Sequence, residues 1–197
     1  LLVFSVITFF APEMGGYFLE YNNFIPADPL KTPEHIAPVW YFTPFYSILR
    51  ATTENVMWVL ALFVALIAAL TFFTAKSQKA RISAVVVAAV LIVGFFTLEA
   101  KVWGVVLMGV SVMIFFVLPW LDRSPVKSIR YKGPIYKIAL TLFVISFFIL
   151  GYLGVLSPTP GRTLVSQICM FVYFSFFLLM PWYSAMDRTK PEPERVK

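Results

Sequence analysis

Five long apolar runs constrain the fold of this chain more than any other feature of its sequence. They extend over residues 55–75, 82–98, 102–121, 138–156 and 164–183. A run of about 20 apolar residues is what crosses a hydrocarbon core of roughly 30 Å, and these runs are continuous instead of forming half-buried stripes. Only 13% of the 197 residues are charged, against roughly 25% in soluble domains. We therefore predict an all-α fold, a polytopic transmembrane helix bundle.

The segments around these runs complete the predicted organisation. Residues 1–11 have about half the length of a span and are expected to be the end of a truncated transmembrane helix. Residues 12–51 form a polar loop that is too long for a simple connection. Residues 52–101 contain a hydrophobic hairpin, residues 102–183 the three C-terminal spans, and residues 184–197 a polar, frayed tail. The run 82–98 is short, so a re-entrant arrangement of it stays open.

The distribution of basic residues predicts how the bundle is oriented, because Lys and Arg are retained on the cytoplasmic side. One set of alternate connections contains twelve of the 16 basic residues, and the other contains four. The twelve are Lys76, Lys79, Arg81, Arg123, Lys127, Arg130, Lys132, Lys137, Arg188, Lys190, Arg195 and Lys197. The four are Lys31, Arg50, Lys101 and Arg162. The long loop is therefore predicted to lie outside and the C-terminus inside.

Composition also excludes several kinds of site. The net charge of +6 comes from short clusters between apolar runs, with no basic face interleaved with aromatics, so nucleic-acid binding is not expected. The single Cys169 lies in an apolar run, which excludes a disulfide framework and a cysteine metal site. The lone His35 excludes a bis-histidine haem site made by this chain alone. No residue is therefore predicted to bind a metal.

Proline pattern and spacing predict the local structure of the loop. Pro33 and Pro38 favour extended backbone before them. Thr43 followed by Pro44 resembles an N-cap with proline at the first helical position, which predicts a short helix over residues 44–50. In that helix Tyr46 would share one face with Arg50. The long external loop is thus predicted to carry a short helix lying at the membrane interface.

Pairs of glycines lie within the spans. Gly104 with Gly109, and Gly151 with Gly154, are expected to allow close helix packing, although neither pair has the four-residue spacing of the usual dimer motif. Asp122 followed by Arg123 is interpreted as a helix end before a cytoplasmic basic cluster.

The segment PVWYFTPFYSILR, residues 38–50, resembles the quinol-oxidation motif of the cytochrome b family, which usually reads Pro-Glu-Trp-Tyr. FAP at 10–12, DPLKTPEHIAP at 28–38 and LPWLDRSPVKS at 118–128 follow the family's order as well. The resemblance covers nearly the whole chain and aligns it with the C-terminal half of the family. Pro-Val-Trp-Tyr, together with DRSPVKSIRY at 122–131, is similar to gammaproteobacterial members. Residues 52–101 are longer than the family's usual connection and resemble a proteobacterial insertion.

The resemblance implies a function in respiratory electron transfer. It implies part of the outer quinol-oxidation site of a ubiquinol–cytochrome c reductase, a translocase that releases protons to the periplasm from a bacterial inner membrane. The cofactors implied are ubiquinol or ubiquinone and two haem b groups, whose histidine ligands lie in N-terminal helices outside this chain. The partners implied are the N-terminal half of cytochrome b, the Rieske iron-sulfur subunit, the cytochrome c1 subunit and membrane lipid, in a dimeric complex. This fragment is not expected to be active alone.

The resemblance also assigns site residues. A quinol is apolar except for two hydroxyls, so its site needs an aromatic, dry wall. The expected quinol-binding residues are Ile36, Pro38, Val39, Trp40, Tyr41, Phe42, Phe45 and Tyr46. Val39 stands where the motif usually has a glutamate and cannot titrate, so Glu34 is expected to accept a quinol proton, with His35, Tyr46 or ordered water as alternatives. Glu34 and Tyr46 are thus the catalytic candidates, and His35 with Ile36 the docking candidates for the iron-sulfur subunit.

Two other interpretations stay open at this point. A redox-inactive transporter or channel subunit would also have five spans, but it would be expected to carry ionisable residues inside them, and the interiors of these runs are essentially uncharged. A natural split subunit and a truncated chain are equally compatible with the sequence.

Overall fold

The computed structural model describes residues 1–11, 24–26, 28–31 and 36–191. The α-helices of this part of the chain are α1 Leu2–Phe10, α2 Thr43–Ala51, α3 Glu54–Thr74, α4 Gln78–Thr97, α5 Ala100–Met113, α6 Leu118–Leu121, α7 Pro134–Val155, α8 Pro160–Leu178 and α9 Met180–Met186. Two 3-10 turns, Trp40–Phe42 and Ile114–Val117, precede α2 and α6. No strand occurs within the described ranges, so the predicted all-α class is confirmed.

Five helical segments are long and apolar enough to cross a membrane. They are α3, α4, the continuous segment Ala100–Leu121, α7 and α8, with lengths of 19 to 22 residues and mean hydropathies of 1.3 to 2.7. The run 82–98, whose length left a re-entrant arrangement open, belongs to a helix of 20 residues. The helix is longer than its apolar run because Gln78, Lys79 and Arg81 are good helix formers whose long side chains can reach the membrane surface.

Helix α2 is packed against α5, α7 and α8, and it joins the motif segment to the bundle. Its Ile48 and Ala51 are fully buried. Gly154 of α7 allows the closest approach, because a Cβ there would overlap the carbonyl oxygen of Thr43. A Cβ at Gly104 of α5 would lie 2.9 Å from the carbonyl oxygen of Leu49. The predicted close packing is thus confirmed at these two glycines, and the neighbour is α2 in both cases.

The other two glycines of the predicted pairs differ from each other. A Cβ at Gly151 would lie 3.4 Å from Cγ of Pro44, so this glycine also faces α2. A Cβ at Gly109 would meet nothing within 4 Å, so the expectation of close packing is wrong at that position. Gly109 lies on an exposed face of α5, where no other helix of the described chain approaches.

A polar cluster closes the opposite end of the bundle. Lys132 is one of the twelve basic residues that predict the orientation, and its side chain is 4% exposed and forms an ion pair with Asp122. Its ammonium group also lies 3.7 Å from the ring centroid of Tyr136. Burial alone would raise the pKa of the Asp122 carboxyl, but the bonds from Lys132 and Ser124 hold that pKa below its ordinary value. Asp122 therefore follows the helix end, as predicted, and also forms an ion pair with the buried Lys132.

The start of the tail is also more ordered than expected. Residues 184–186 belong to α9. The Asp187 carboxylate accepts hydrogen bonds from the backbone N–H groups of Ile135 and Tyr136, at 3.2 Å each, at the start of α7. The backbone N–H of Lys190 donates to the carbonyl of Tyr131 at 2.7 Å. Residues 184–190 are therefore tied to the loop before α7, and the prediction of a frayed tail is wrong for them because a free N-terminal helix end offers them partners.

Candidate functional site

The motif segment enters α2 through a tight helical turn. Trp40–Phe42 form the 3-10 turn, and the hydroxyl of Thr43 donates to the carbonyl of Trp40 at 2.8 Å. Thr43 is itself helical, so the prediction that it is the N-cap is wrong. An N-cap residue has extended backbone, whereas the residue before Thr43 has φ −96° and ψ −13° because the preceding turn already has helical geometry. The Thr43 side chain therefore closes the turn instead of capping the helix.

A cavity of about 290 Å³ lies between this turn and the C-terminal half of α7. It is bounded on one side by motif residues and on the other by α7, and its lining residues are Trp40, Tyr41, Thr43, Pro44, Phe147, Phe148, Gly151 and Tyr152. The rings of Trp40 and Tyr41 meet edge to face, with their centroids 5.7 Å apart. The lining is thus mainly aromatic, with hydroxyl groups on two tyrosines and one threonine. Such a composition suits a flat, mostly apolar ligand with a few polar atoms.

The predicted wall residues divide into three groups in the structure. Trp40 and Tyr41 line the cavity. Phe42 and Phe45 lie in a ring series behind it, with centroids 5.9 Å apart, and Phe45 contacts Phe147 of α7 at 5.9 Å. The remaining described members, Ile36, Pro38, Val39 and Tyr46, do not line this cavity.

The exposure of these remaining residues differs. Ile36 and Val39 are exposed, and Pro38 is half-buried. Tyr46 is half-buried on the side of α2 that carries Arg50. Glu34 and His35, the expected proton acceptor and docking residue, lie outside the described residues. The structure therefore brings only part of the predicted set together.

Arg50 connects α2 to the end of α7. Its guanidinium carbon lies 5.5 Å from the Tyr46 ring centroid, so the predicted shared face of these two residues is confirmed. The same guanidinium donates to the carbonyls of Gly154 at 3.3 Å and Leu156 at 2.9 Å. Cations are favourable at a helix C-terminus, where carbonyl groups lack helical partners. Tyr46 thus supports the residue that holds α2 in position.

Sequence reasoning missed the α7 side of the cavity. Phe147, Phe148, Gly151 and Tyr152 lie about a hundred residues after the motif, in a run that is apolar on every face. No periodicity distinguishes their face from one that contacts lipid. The glycines of α7 were a usable signal, because a small residue in a span marks close approach of another element.

No group of three or more His, Cys, Asp or Glu that could hold a metal ion occurs among the residues the structure describes. Charged side chains of the five long helices lie at or near their ends, as at Glu54, Lys79, Lys101, Lys137 and Arg162. The middle of these helices thus contains none of the Asp, Glu, Lys, Arg or His side chains that an ion pathway through the bundle usually uses.

Comparisons with known proteins agree with this architecture. A family model described as cytochrome b (C-terminal)/b6/petD matches residues 26–100 and 95–174. The chain is 45% identical over 196 residues to cytochrome b of the gammaproteobacterium Allochromatium vinosum, covering 100% of this chain and 37% of that protein. It is 34% identical over 198 residues to cytochrome b of Cereibacter sphaeroides, again covering 100% and 37%.

A solved structure has the same fold. A chain of a hyperthermophilic respiratory complex III matches with a TM-score of 0.62 and 28% identity, covering 94% of this chain and 34% of that chain. The chain thus spans about 37% of the length of the cytochrome b proteins it matches. Together with the five long apolar helices, these matches show an integral membrane protein. The chain belongs to the cytochrome b family and corresponds to the C-terminal part of that protein.

Proposed function

We propose that this chain is the C-terminal membrane part of cytochrome b in a respiratory ubiquinol–cytochrome c reductase, and that the cavity between the motif and α7 is part of its outer quinol-oxidation site. The aromatic cavity that directly adjoins Trp40 and Tyr41 is the observation that carries this proposal. The family membership supports it, because the motif that adjoins the cavity is the one that resembles the family's quinol motif.

The cavity suits a quinol in its size and chemistry. Ring faces from both walls would hold the apolar quinol ring, and the hydroxyls of Tyr41 and Tyr152 would be hydrogen-bond partners for its two oxygens. The hydroxyl of Thr43 already donates to Trp40, so it would serve as an acceptor. Binding the quinol at two separated hydroxyls would fix its orientation relative to the outer surface.

Oxidation of the bound quinol to quinone releases two electrons and two protons. This chain would bind and orient the quinol and pass protons outward, while the electrons would leave to redox groups carried by other parts of the complex. Val39 cannot accept a proton, so we propose Glu34 in the preceding loop as the acceptor. His35, Tyr46 and ordered water are the alternative acceptors, and His35 with Ile36 would contribute to docking of the iron-sulfur subunit.

The residues of this chain do not fit a haem b site of the family's kind. Two haems with paired histidine ligands need four imidazoles, and the whole sequence has one histidine. We therefore assign haem ligation to the N-terminal part of cytochrome b, and electron acceptance to that part and to the Rieske and cytochrome c1 subunits of a dimeric complex. We further propose, from the basic residues, that the long loop is periplasmic and the C-terminus cytoplasmic.

The α7 wall provides the test of this proposal. Phe148→Ala, introduced into the complete cytochrome b of the purified complex, should raise KM for ubiquinol and lower turnover, while the haem absorption spectrum stays unchanged. Phe116→Ala is a matched control, because the two phenylalanines are almost equally exposed, at 71% for Phe148 and 73% for Phe116. Phe116 does not line the cavity. Equal kinetics in the two variants would contradict the assignment of the cavity.

The proposed proton acceptor has a separate test. Glu34→Gln should slow quinol oxidation and change its pH dependence, and Val39→Glu on that background should partly restore the rate. Since Val39 is exposed next to Trp40, a glutamate there can be solvated without a folding penalty. A normal rate and an unaltered pH profile in Glu34→Gln would eliminate Glu34 as the acceptor.

A further inference from the structure

A second apolar groove lies far from the quinol cavity, between the α3–α4 hairpin and α8. Its volume is about 260 Å³, and its walls extend from Phe63 to Thr71 on α3, from Ala84 to Leu91 on α4, and to Leu178 at the end of α8. The walls carry almost no polar atoms apart from the Thr71 hydroxyl, which is bonded within its own helix to the carbonyl of Ile67. The groove therefore offers packing surface without hydrogen-bond partners.

The dimensions of the groove match one hydrocarbon chain. The eight-residue distance from Phe63 to Thr71 corresponds to roughly 12 Å along the helix axis, close to half of a hydrocarbon core of about 30 Å. Dividing 260 Å³ by this length gives a mean cross-section of about 22 Å², or a width of roughly 5 Å. A groove of this width would also admit side chains of a neighbouring helix, so the identification of a lipid rests on the charges at the end of the groove.

The groove ends beside the turn between α3 and α4, and that turn is strongly basic. Lys76 and Lys79 are exposed there, and Arg81 is half-buried. The Nε–H of Arg81 donates to the carbonyl of Ala75 at 2.9 Å, and its guanidinium lies 5.9 Å from the Phe72 ring centroid. Among the described contacts none uses the terminal nitrogens of Arg81. The sequence from 55 to 98 contains no Asp or Glu, and among the residues that the structure describes no carboxylate forms an ion pair with Lys76, Lys79 or Arg81.

Trp182 indicates how deep in the membrane this end of the groove lies. The indole N–H of Trp182 donates to the hydroxyl of Thr74 at 2.8 Å, which ties α9 to the end of α3. Tryptophan favours the headgroup level of a membrane, where its ring is apolar and its N–H is bonded. The basic turn thus lies at headgroup depth, and the groove continues from there toward the middle of the membrane.

We propose that the groove and the basic turn together bind one anionic phospholipid. One acyl chain lies in the groove, and the phosphate and the rest of the headgroup contact Lys76, Lys79 and Arg81. Charge complementarity identifies the headgroup as anionic, and the groove identifies the ligand as a lipid and not a free phosphate. The site lies at the other end of α3 from the quinol cavity, so this inference does not depend on the proposed function.

The test is a lipid titration of the complete cytochrome b protein, purified in detergent with the subunits that remain bound, followed by native mass spectrometry. Phosphatidylglycerol should bind at one site more tightly than phosphatidylcholine. The Lys76→Gln, Lys79→Gln double variant should weaken phosphatidylglycerol binding by about tenfold or more at low salt. The Arg123→Gln, Arg130→Gln double variant removes the same charge from two exposed residues elsewhere. It should change the affinity for phosphatidylglycerol by less than about twofold.

Filling the groove tests the acyl-chain part separately. The Phe side chain of Ala68→Phe would occupy the groove, so this variant should no longer bind phosphatidylglycerol although all basic residues are intact. Ala69→Phe, at the neighbouring exposed position, should still bind it. Millimolar inorganic phosphate should not displace the lipid.

Several results would overturn the proposal. They are equal binding of both lipids, equal losses in the two double variants, full retention by Ala68→Phe, displacement by phosphate, or a co-purifying small membrane protein whose removal is needed before lipid binds.

Discussion

Replacing Gly154 by alanine should separate α2 from α7 and so disturb the proposed quinol cavity. A Cβ at this position would overlap the carbonyl oxygen of Thr43 and lie 2.8 Å from its carbon, whereas ordinary contact begins at 3.4 Å. The carbon must therefore move by at least 0.6 Å, and since the oxygen is nearer still, α2 must move by about 1 Å. Because the obstacle is backbone and not a flexible side chain, we expect a loss of about 1–3 kcal/mol of stability.

The same displacement has a functional consequence. It lengthens the bond of 3.3 Å from Arg50 to the carbonyl of Gly154, which fixes α2, and it moves Thr43 and Pro44 in the cavity wall. A misplacement of about 1 Å can cost on the order of a hundredfold in rate. Under the proposed function, ubiquinol–cytochrome c reductase turnover of the complete complex carrying Gly154→Ala should therefore fall by up to about a hundredfold, while its haem absorption spectrum stays normal.

Two other glycines provide a graded comparison. At Gly104 the Cβ would lie 2.9 Å from the Leu49 carbonyl oxygen, so Gly104→Ala should have a smaller effect in the same direction. At Gly109, on the same helix, nothing lies within 4 Å of a Cβ. Gly109→Ala should therefore stabilise the folded protein by about 0.4–1 kcal/mol, because alanine lowers the conformational entropy of the unfolded chain. Thermal unfolding in detergent and turnover should rank the variants in this order. Equal stability and turnover of Gly154→Ala and Gly109→Ala would contradict the proposed contact between Gly154 and α2.

Further predictions concern Asp122, Trp40 and the residues at positions 31 and 78. Asp122→Asn leaves the ammonium of Lys132, 4% exposed, without its partner and should cost about 3–5 kcal/mol in thermal unfolding; an unchanged melting temperature would show that the pair does not stabilise the fold. Because the Asp122 pKa is lowered in the folded protein, the stability from this group is present above pH about 4, so the advantage of the wild type over Asp122→Asn should begin to shrink below pH about 4 and should disappear as the pH falls through the lowered pKa. Trp40 is 69% exposed, so Trp40→Ala should lose less than about 1 kcal/mol of stability while the proposed quinol oxidation slows; a melting temperature lowered as in a core substitution would contradict this. A cysteine that replaces Lys31 should react with a membrane-impermeant reagent added from the periplasm, and a cysteine that replaces Gln78 should not. The native Cys169 is buried and should give little background labelling. The opposite pattern would show that the proposed topology is reversed.

The sequence alone determined the transmembrane character of the chain and the approximate position of each span. The bilayer imposes a length and a composition on every span, and both can be counted without knowing what a helix packs against. The pairing of Tyr46 with Arg50 was predictable for a similar reason, because residues four positions apart on a helix lie on the same face. The motif resemblance at residues 38–50 correctly indicated the family that the comparisons then showed.

The tertiary structure alone decided which residues face the motif and which charges are buried. Phe148 and Tyr152 approach Trp40 across about a hundred residues of sequence, and in a uniformly apolar helix a face that packs has the same composition as a face that contacts lipid. Lys132 belonged to a basic cluster by sequence, but a partner ten residues away and a ring of α7 bury it. Thr43 had the sequence of an N-cap, yet the turn before it is already helical. Capping, periodicity and charge-count rules use only residues that are near one another in the sequence. These contacts depend instead on how close α2 lies to α7 and on how the loop before α7 folds back.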